Sequence, residues 1–116
     1  MKVLVCGGRD YVDDPPILKQ ELDALHASRR GPITLIIHGG ASGADTLGGM
    51  WAKENKVPML VFYADWKTHG KAAGPIRNQR MLQDGGIDLV IACPGGRGTD
   101  DMIRRATKIG LKAIML

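Results

Sequence analysis

The chain has 116 residues, 44% of them hydrophobic, which suits one domain (1–116) with a real core and leaves no room for two. No apolar run approaches a membrane span and the chain enters a strand at once rather than a signal-peptide pattern, so no membrane partner and a cytoplasmic location are expected. A net charge of +4 permits contact with nucleic acid, but aromatics at 4% and the lack of a long Lys/Arg run argue against nucleic acid as the partner.

Lys2–Cys6 reads as a central parallel strand, broken by a first glycine turn, Gly7-Gly8-Arg9-Asp10. Asp13-Asp14-Pro15-Pro16 reads as a helix start, with an Asp cap and proline in the first turn. Leu18, Leu22 and Leu25 form that helix's apolar face, and Gly31-Pro32 ends it. Residues 33–38 form a second strand, followed by a second turn, Gly39-Gly40-Ala41-Ser42-Gly43. Ser42 and Asp45 have capping-box spacing, so Asp45 is expected to cap a helix, and Leu47 and Trp51 lie on its core face. Gly48 and Gly49 inside this helix cost about 1 kcal/mol each relative to alanine, unless a close neighbour needs the room.

Residues 57–62 form a third strand. Residues 63–74 read as a long irregular segment holding Trp66, His69 and Lys71, a length that in a compact domain often marks function. Pro75 opens a third helix with Arg77, Asn78, Arg80 and Met81, ended by Gly85-Gly86. Residues 87–92 form the fourth strand, and a third glycine turn follows, Cys93 through Asp101. Beyond it Met102, Ala106 and Ile109 repeat at helical spacing, and residues 112–115 make a fifth strand.

Strands alternating with helices predict an α/β fold: a single Rossmann-like, open, mostly parallel five-stranded sheet with helices on both faces. Ligands of such sheets bind beyond the carboxyl ends of the strands, where all three glycine turns fall. Glycines let backbone N–H groups close on an anion, and a helix that starts there points its positive end at the same spot. The candidate phosphate-binding residues are therefore Gly7, Gly8 and Arg9; Gly39, Gly40, Ser42 and Gly43; and Gly95, Gly96, Arg97, Gly98 and Thr99. Arg77 and Arg80 join them, because cations in the first turns of a helix oppose its dipole and need another reason to be there. His38, at a strand end, reads equally as a ligand contact and as a structural histidine, and Trp66 and His69 are placed to cover a base. No segment matches the P-loop, and the dinucleotide fingerprint lacks its third glycine. Cys6 and Cys93 have no metal spacing and read as buried thiols, so neither metal nor cofactor is expected.

Four motifs in order carry a resemblance: residues 6–10 (CGGRD), 38–45 (HGGASGAD), 73–81 (AGPIRNQRM) and 94–99 (PGGRGT). Together they resemble the SLOG superfamily and, within it, the YspA-type branch related to YpsA. The resemblance covers nearly the whole chain. It implies a Rossmann-like fold and a nucleotide or nucleotide-derived ligand. It is more distant to the Lonely Guy phosphoribohydrolases, which release the base of a nucleoside 5′-monophosphate. Their motif P-G-G-x-G-T-x-x-E is matched from Pro94 to Thr99, with Met102 at the glutamate position and Asp100 and Asp101 just before it. Their upstream R-K-x-x-M is matched by Arg77 and Met81, with Asn78 at the lysine position, which adds Asn78 to the ligand-binding set. Arg77 and Asp101 are the candidate catalytic residues, Asp101 as a carboxylate facing C1 of a ribose. Otherwise acids in a first helical turn simply favour the dipole. Three readings follow: a sensor or binding module for a phosphate-bearing, nucleotide-derived small molecule; an N-glycosidic hydrolase; and a DNA-binding accessory protein. The resemblance also implies a homo-oligomer, a dimer with pockets at or near the interface.

Overall fold

Four of the five residues of Lys2–Cys6 are buried, and this strand, β1, is the middle of the sheet in a computed structural model that describes residues 1–116. Its partners are β2 (Leu35–His38) on one side and β4 (Leu89–Ala92) on the other, with β3 (Met59–Val61) and β5 (Ala113–Met115) at the edges. All four pairings are parallel, for example Leu4 with Ile37 across to β2 and with Val90 across to β4. The fold is α/β and Rossmann-like, as the alternation of elements implies.

Side chains alternate across β1, which explains its unbroken apolar run: both of its faces are covered. Val3 and Val5 pack against α1 (Ile17–His26) and α2 (Ala44–Glu54) through Leu18, Leu22, Trp51 and Ala52. Leu4 and Cys6 face the opposite layer, where α4 (Ala73–Asp84) and α5 (Arg97–Lys108) contribute Met81, Met102 and Ala106. Gly48 and Gly49 have the close neighbours their helical position demands. A Cβ on Gly48 would lie 3.0 Å from the Val5 Cβ, and one on Gly49 would lie 3.0 Å from His38 Nε2. No helix is long and apolar enough to cross a membrane.

Several expectations shift. Strand β1 spans the residues expected of it, but the other four strands are shorter than their apolar runs, because pairing stops before the hydrophobicity does. Helix α1 begins at Ile17, after Pro16, yet an Asp cap is present: Asp13 reaches forward and accepts from the amides of Leu18 at 2.8 Å and Lys19 at 3.0 Å. Residues 63–74 are not irregular. They hold the short helix α3 (Trp66–His69), a 3₁₀ turn (Gly70–Ala72) and the start of α4, two residues before Pro75. Ser42 and Asp45 form no capping box, since α2 starts after Gly43 without a side-chain cap. Ile109 lies past the end of α5 and is 58% exposed, so it leaves the apolar face that Met102 and Ala106 form.

Candidate functional site

From β1 the chain steps outward to β2 and β3, then returns to β4 on the other side of β1. The turns after β2, β1 and β4 are therefore neighbours at one end of the sheet, the crevice where open α/β sheets bind ligands. The turns after β1 and β4 are tied together, with the amide of Gly8 donating to Pro94 O at 2.9 Å and that of Cys93 to Cys6 O at 2.9 Å. Between the turns and helix α4 lies a cleft of about 480 Å³.

Most of the glycines serve the packing of the turns themselves. A Cβ on Gly7 would sit 2.7 Å from both the Ala44 and Cys93 Cβ atoms, and one on Gly95 would sit 2.6 Å from the Gly8 amide nitrogen. Gly39 has room for no side chain beside the Arg77 guanidinium, 2.7 Å from its Cζ. Gly43, at φ +75°, crosses the turn after β1 with 2.6 Å from its would-be Cβ to Arg9 O. Gly96 and Gly98 are different. A Cβ on either meets nothing within 4 Å, neither has a left-handed φ, and both line the cleft. Helix α5 starts at Arg97 with no side-chain cap, so its first-turn amides and the positive end of its dipole are open to an anion there. Thr99 lines the same stretch.

Arg77 enters the cleft from α4. Its Nη1 donates to Gly39 O at 2.6 Å and its Nε to Asn78 Oδ1 at 3.2 Å, which fixes the guanidinium and leaves Nη2 for a ligand. Burial lowers the Arg77 pKa, and Asp45 pulls it back up. The Asp45 carboxylate, buried under the cleft, closes the turn after β2 by accepting from the amides of Gly39 at 3.0 Å and Ala41 at 3.2 Å. Burial raises its pKa, against those amides and the charges of His38 and Arg77. Asp45 thus organises the preceding turn instead of capping its own helix.

Asp101 lines the cleft floor with both oxygens engaged. Arg104 Nη2 donates to Oδ1 at 2.6 Å, and Oδ2 accepts from Arg105 Nε at 2.9 Å and Asn78 Nδ2 at 3.0 Å. Asn78 also donates to Gly98 O at 3.1 Å, so this buried amide ties α4 to the glycine turn. The i+3 and i+4 spacing of Arg104 and Arg105 from Asp101 was a legible signal for this network.

Arg9 and Arg97 both line the cleft, and Lys71, which the sequence placed in the 63–74 segment without a ligand role, reaches it from the 3₁₀ turn. Trp66 lines it too, with the Arg9 guanidinium 5.2 Å from its ring centroid. Other candidates lie elsewhere. Arg80, three residues from Arg77 on α4, stacks over Phe62 at 5.7 Å and lines neither this cleft nor the smaller one beside it. Ser42 borders only the smaller cleft and donates to Arg9 O at 3.2 Å. His38 is structural: its Nδ1 accepts from the Gly40 amide at 3.0 Å, and burial lowers its pKa. His69 lines neither cleft. Cys6 and Cys93 are free, buried thiols, pushed by burial up to about 12 and about 11, and so are poor nucleophiles.

A family model described as YAcAr, the YspA, cpYpsA-related SLOG family, matches residues 1–69. The gene 61 protein of Mycobacterium phage D29 is 39% identical over 121 residues, covering 97% of this chain and 94% of that protein. No solved structure matches the chain.

Proposed function

The chain belongs to the YspA, cpYpsA-related SLOG family, and on that footing we propose that its cleft holds the phosphate of a nucleotide-derived small molecule, a nucleoside monophosphate or an ADP-ribose-like compound. The protein acts as a sensor or binding module. One observation carries this reading: Gly96 and Gly98 are bare although nothing in the protein crowds them, and they border the uncapped start of α5. A phosphate seated there meets free amides and a helix dipole. Four cationic side chains (Arg9, Lys71, Arg77 and Arg97) surround it, and the two carboxylates that line the cleft, Asp45 and Asp101, already hold internal donors.

The hydrolase reading needs a carboxylate free to face C1 of the ribose. Asp101 is engaged by three donors, and Met102, at the position of the Lonely Guy glutamate, is buried in the core. Binding without turnover fits these contacts better.

Thermal melting tests the reading. AMP or ADP-ribose at about 100 times its Kd should add about 2.7 kcal/mol of stability, and adenosine at the same concentration far less. Arg77→Ala should weaken phosphate-ligand binding by about 1.5–3 kcal/mol, as a charge-assisted hydrogen bond does. Equal shifts from nucleotide and nucleoside would remove the phosphate cradle.

A further inference from the structure

The chain has five aromatic residues, and the two most exposed, Tyr63 at 71% and Trp66 at 47%, line one and the same cleft. This second cleft, of about 280 Å³, adjoins the first and shares Arg9, Gly39, Ala41, Trp66 and Arg77 with it. The two form one continuous site, anionic-ligand chemistry at the α5 end and aromatic surface at the other.

Neither ring is left loose. Tyr63 lies on Gly40, where a Cβ would come within 2.6 Å of the ring, and that glycine also holds φ +72°. Trp66 sits on the short helix α3, whose N-cap Asp65 accepts from the Thr68 amide at 3.1 Å. Its ring edge is 3.3 Å from where a Gly74 Cβ would be, and Arg9 sits over its face. Exposing a large apolar ring forgoes its burial energy, so two held open side by side next to a cationic cleft call for an occupant. Planar bases stack on such rings whatever their sequence identity.

Resting on the phosphate reading above, we infer that the Tyr63–Trp66 cleft is a base subsite, and that the ligand is a nucleotide whose aromatic base stacks there while its phosphate sits at the start of α5. Arg9 stands at the boundary and belongs to both halves. A sugar phosphate fills only the first cleft; a free nucleoside fills only the second.

Calorimetry with the four common nucleoside 5′-monophosphates and with ribose 5-phosphate separates the halves. The wild-type protein should bind its preferred monophosphate about 5- to 150-fold more tightly than ribose 5-phosphate, the range expected for one stacked base. Tyr63→Ala, which alters the second cleft alone, should lose much of that preference with ribose 5-phosphate binding unchanged, and Trp66→Ala should lose most of it while Trp66→Phe keeps part. The monophosphate should also quench tryptophan fluorescence in the wild type and not in Trp66→Phe, where only the buried Trp51 remains. Equal wild-type affinity for sugar phosphate and nucleotide, or a preference that survives both Trp66→Ala and Tyr63→Ala, overturns the base subsite and leaves the phosphate reading intact. A wild-type protein that binds none of these compounds, nor ADP-ribose titrated beside them, overturns the phosphate reading and the base subsite with it.

Discussion

Gly98→Ala sets folding and binding against each other. Gly98 is the second residue of α5, its φ is not left-handed, and a methyl there meets no atom within 4 Å. On folding grounds the substitution removes backbone freedom from the unfolded chain and adds a good helix former, a gain of roughly 0.4–1 kcal/mol. For a chain of this length that is a rise of roughly 2–6 °C in Tm. On binding grounds the methyl stands beside the cleft where amides meet the phosphate. Pushing the ligand off one charge-assisted hydrogen bond costs roughly 1.5–3 kcal/mol, a tenfold loss in affinity or more. Differential scanning calorimetry without ligand and titration with AMP read the two effects separately. The expected result is a protein that melts higher and binds worse. Unchanged affinity would show that the bare floor at Gly98 is not where the phosphate lies, and a lowered Tm would refute the reasoning that nothing in the fold needs this glycine.

Asp101→Asn should release no base from AMP during long incubation, as the wild type should not, and should lower stability by about 1–3 kcal/mol through the lost ionic bonds to Arg104 and Arg105; rapid release by the wild type that vanishes in the variant would make Asp101 catalytic. Asp13→Ala should weaken the start of α1 by about 0.5–2 kcal/mol at pH 7, the worth of an N-cap, measured by urea unfolding. Burial pushes the Asp13 carboxyl up, but hydrogen bonds from the Tyr11 hydroxyl and from the amides of Leu18, Lys19 and Ile17 leave it below its usual value. A depressed folded pKa gives stability that is present above the unfolded value of about 3.9 and lost as pH falls through the folded one, so the gap between wild type and variant should close in acid. A gap that widens in acid would contradict that sign.

The features legible along the chain are local ones. The runs of β1 and β4 announce strands covered on both faces, and the glycine pairs announce turns, because both signals are carried by neighbouring residues. Their position at carboxyl strand ends follows from the alternation of strand and helix. Helix α3 escaped because four residues are too few to show a period, and its cap, Asp65, looks like any loop aspartate until the Thr68 amide is above it. Which partner each polar group takes depends on residues that folding brings together from distant parts of the chain. Asp45 was expected to serve its own helix, but the turn after β2 brings two needier amides within reach, and a buried N–H takes the nearest acceptor. Arg77 and Arg80, three residues apart, part company because one meets Gly39 O across the sheet end and the other meets Phe62. Asp101 is held because packing α4 on α5 adds Asn78 to the two arginines of its own helix. The glycines look alike in sequence, yet Gly7, Gly39 and Gly95 are bare because the protein fills the space beside them, while Gly96 and Gly98 are bare with nothing beside them. That difference is one of empty volume, which no run of neighbouring residues encodes and which appears only when distant turns are brought together.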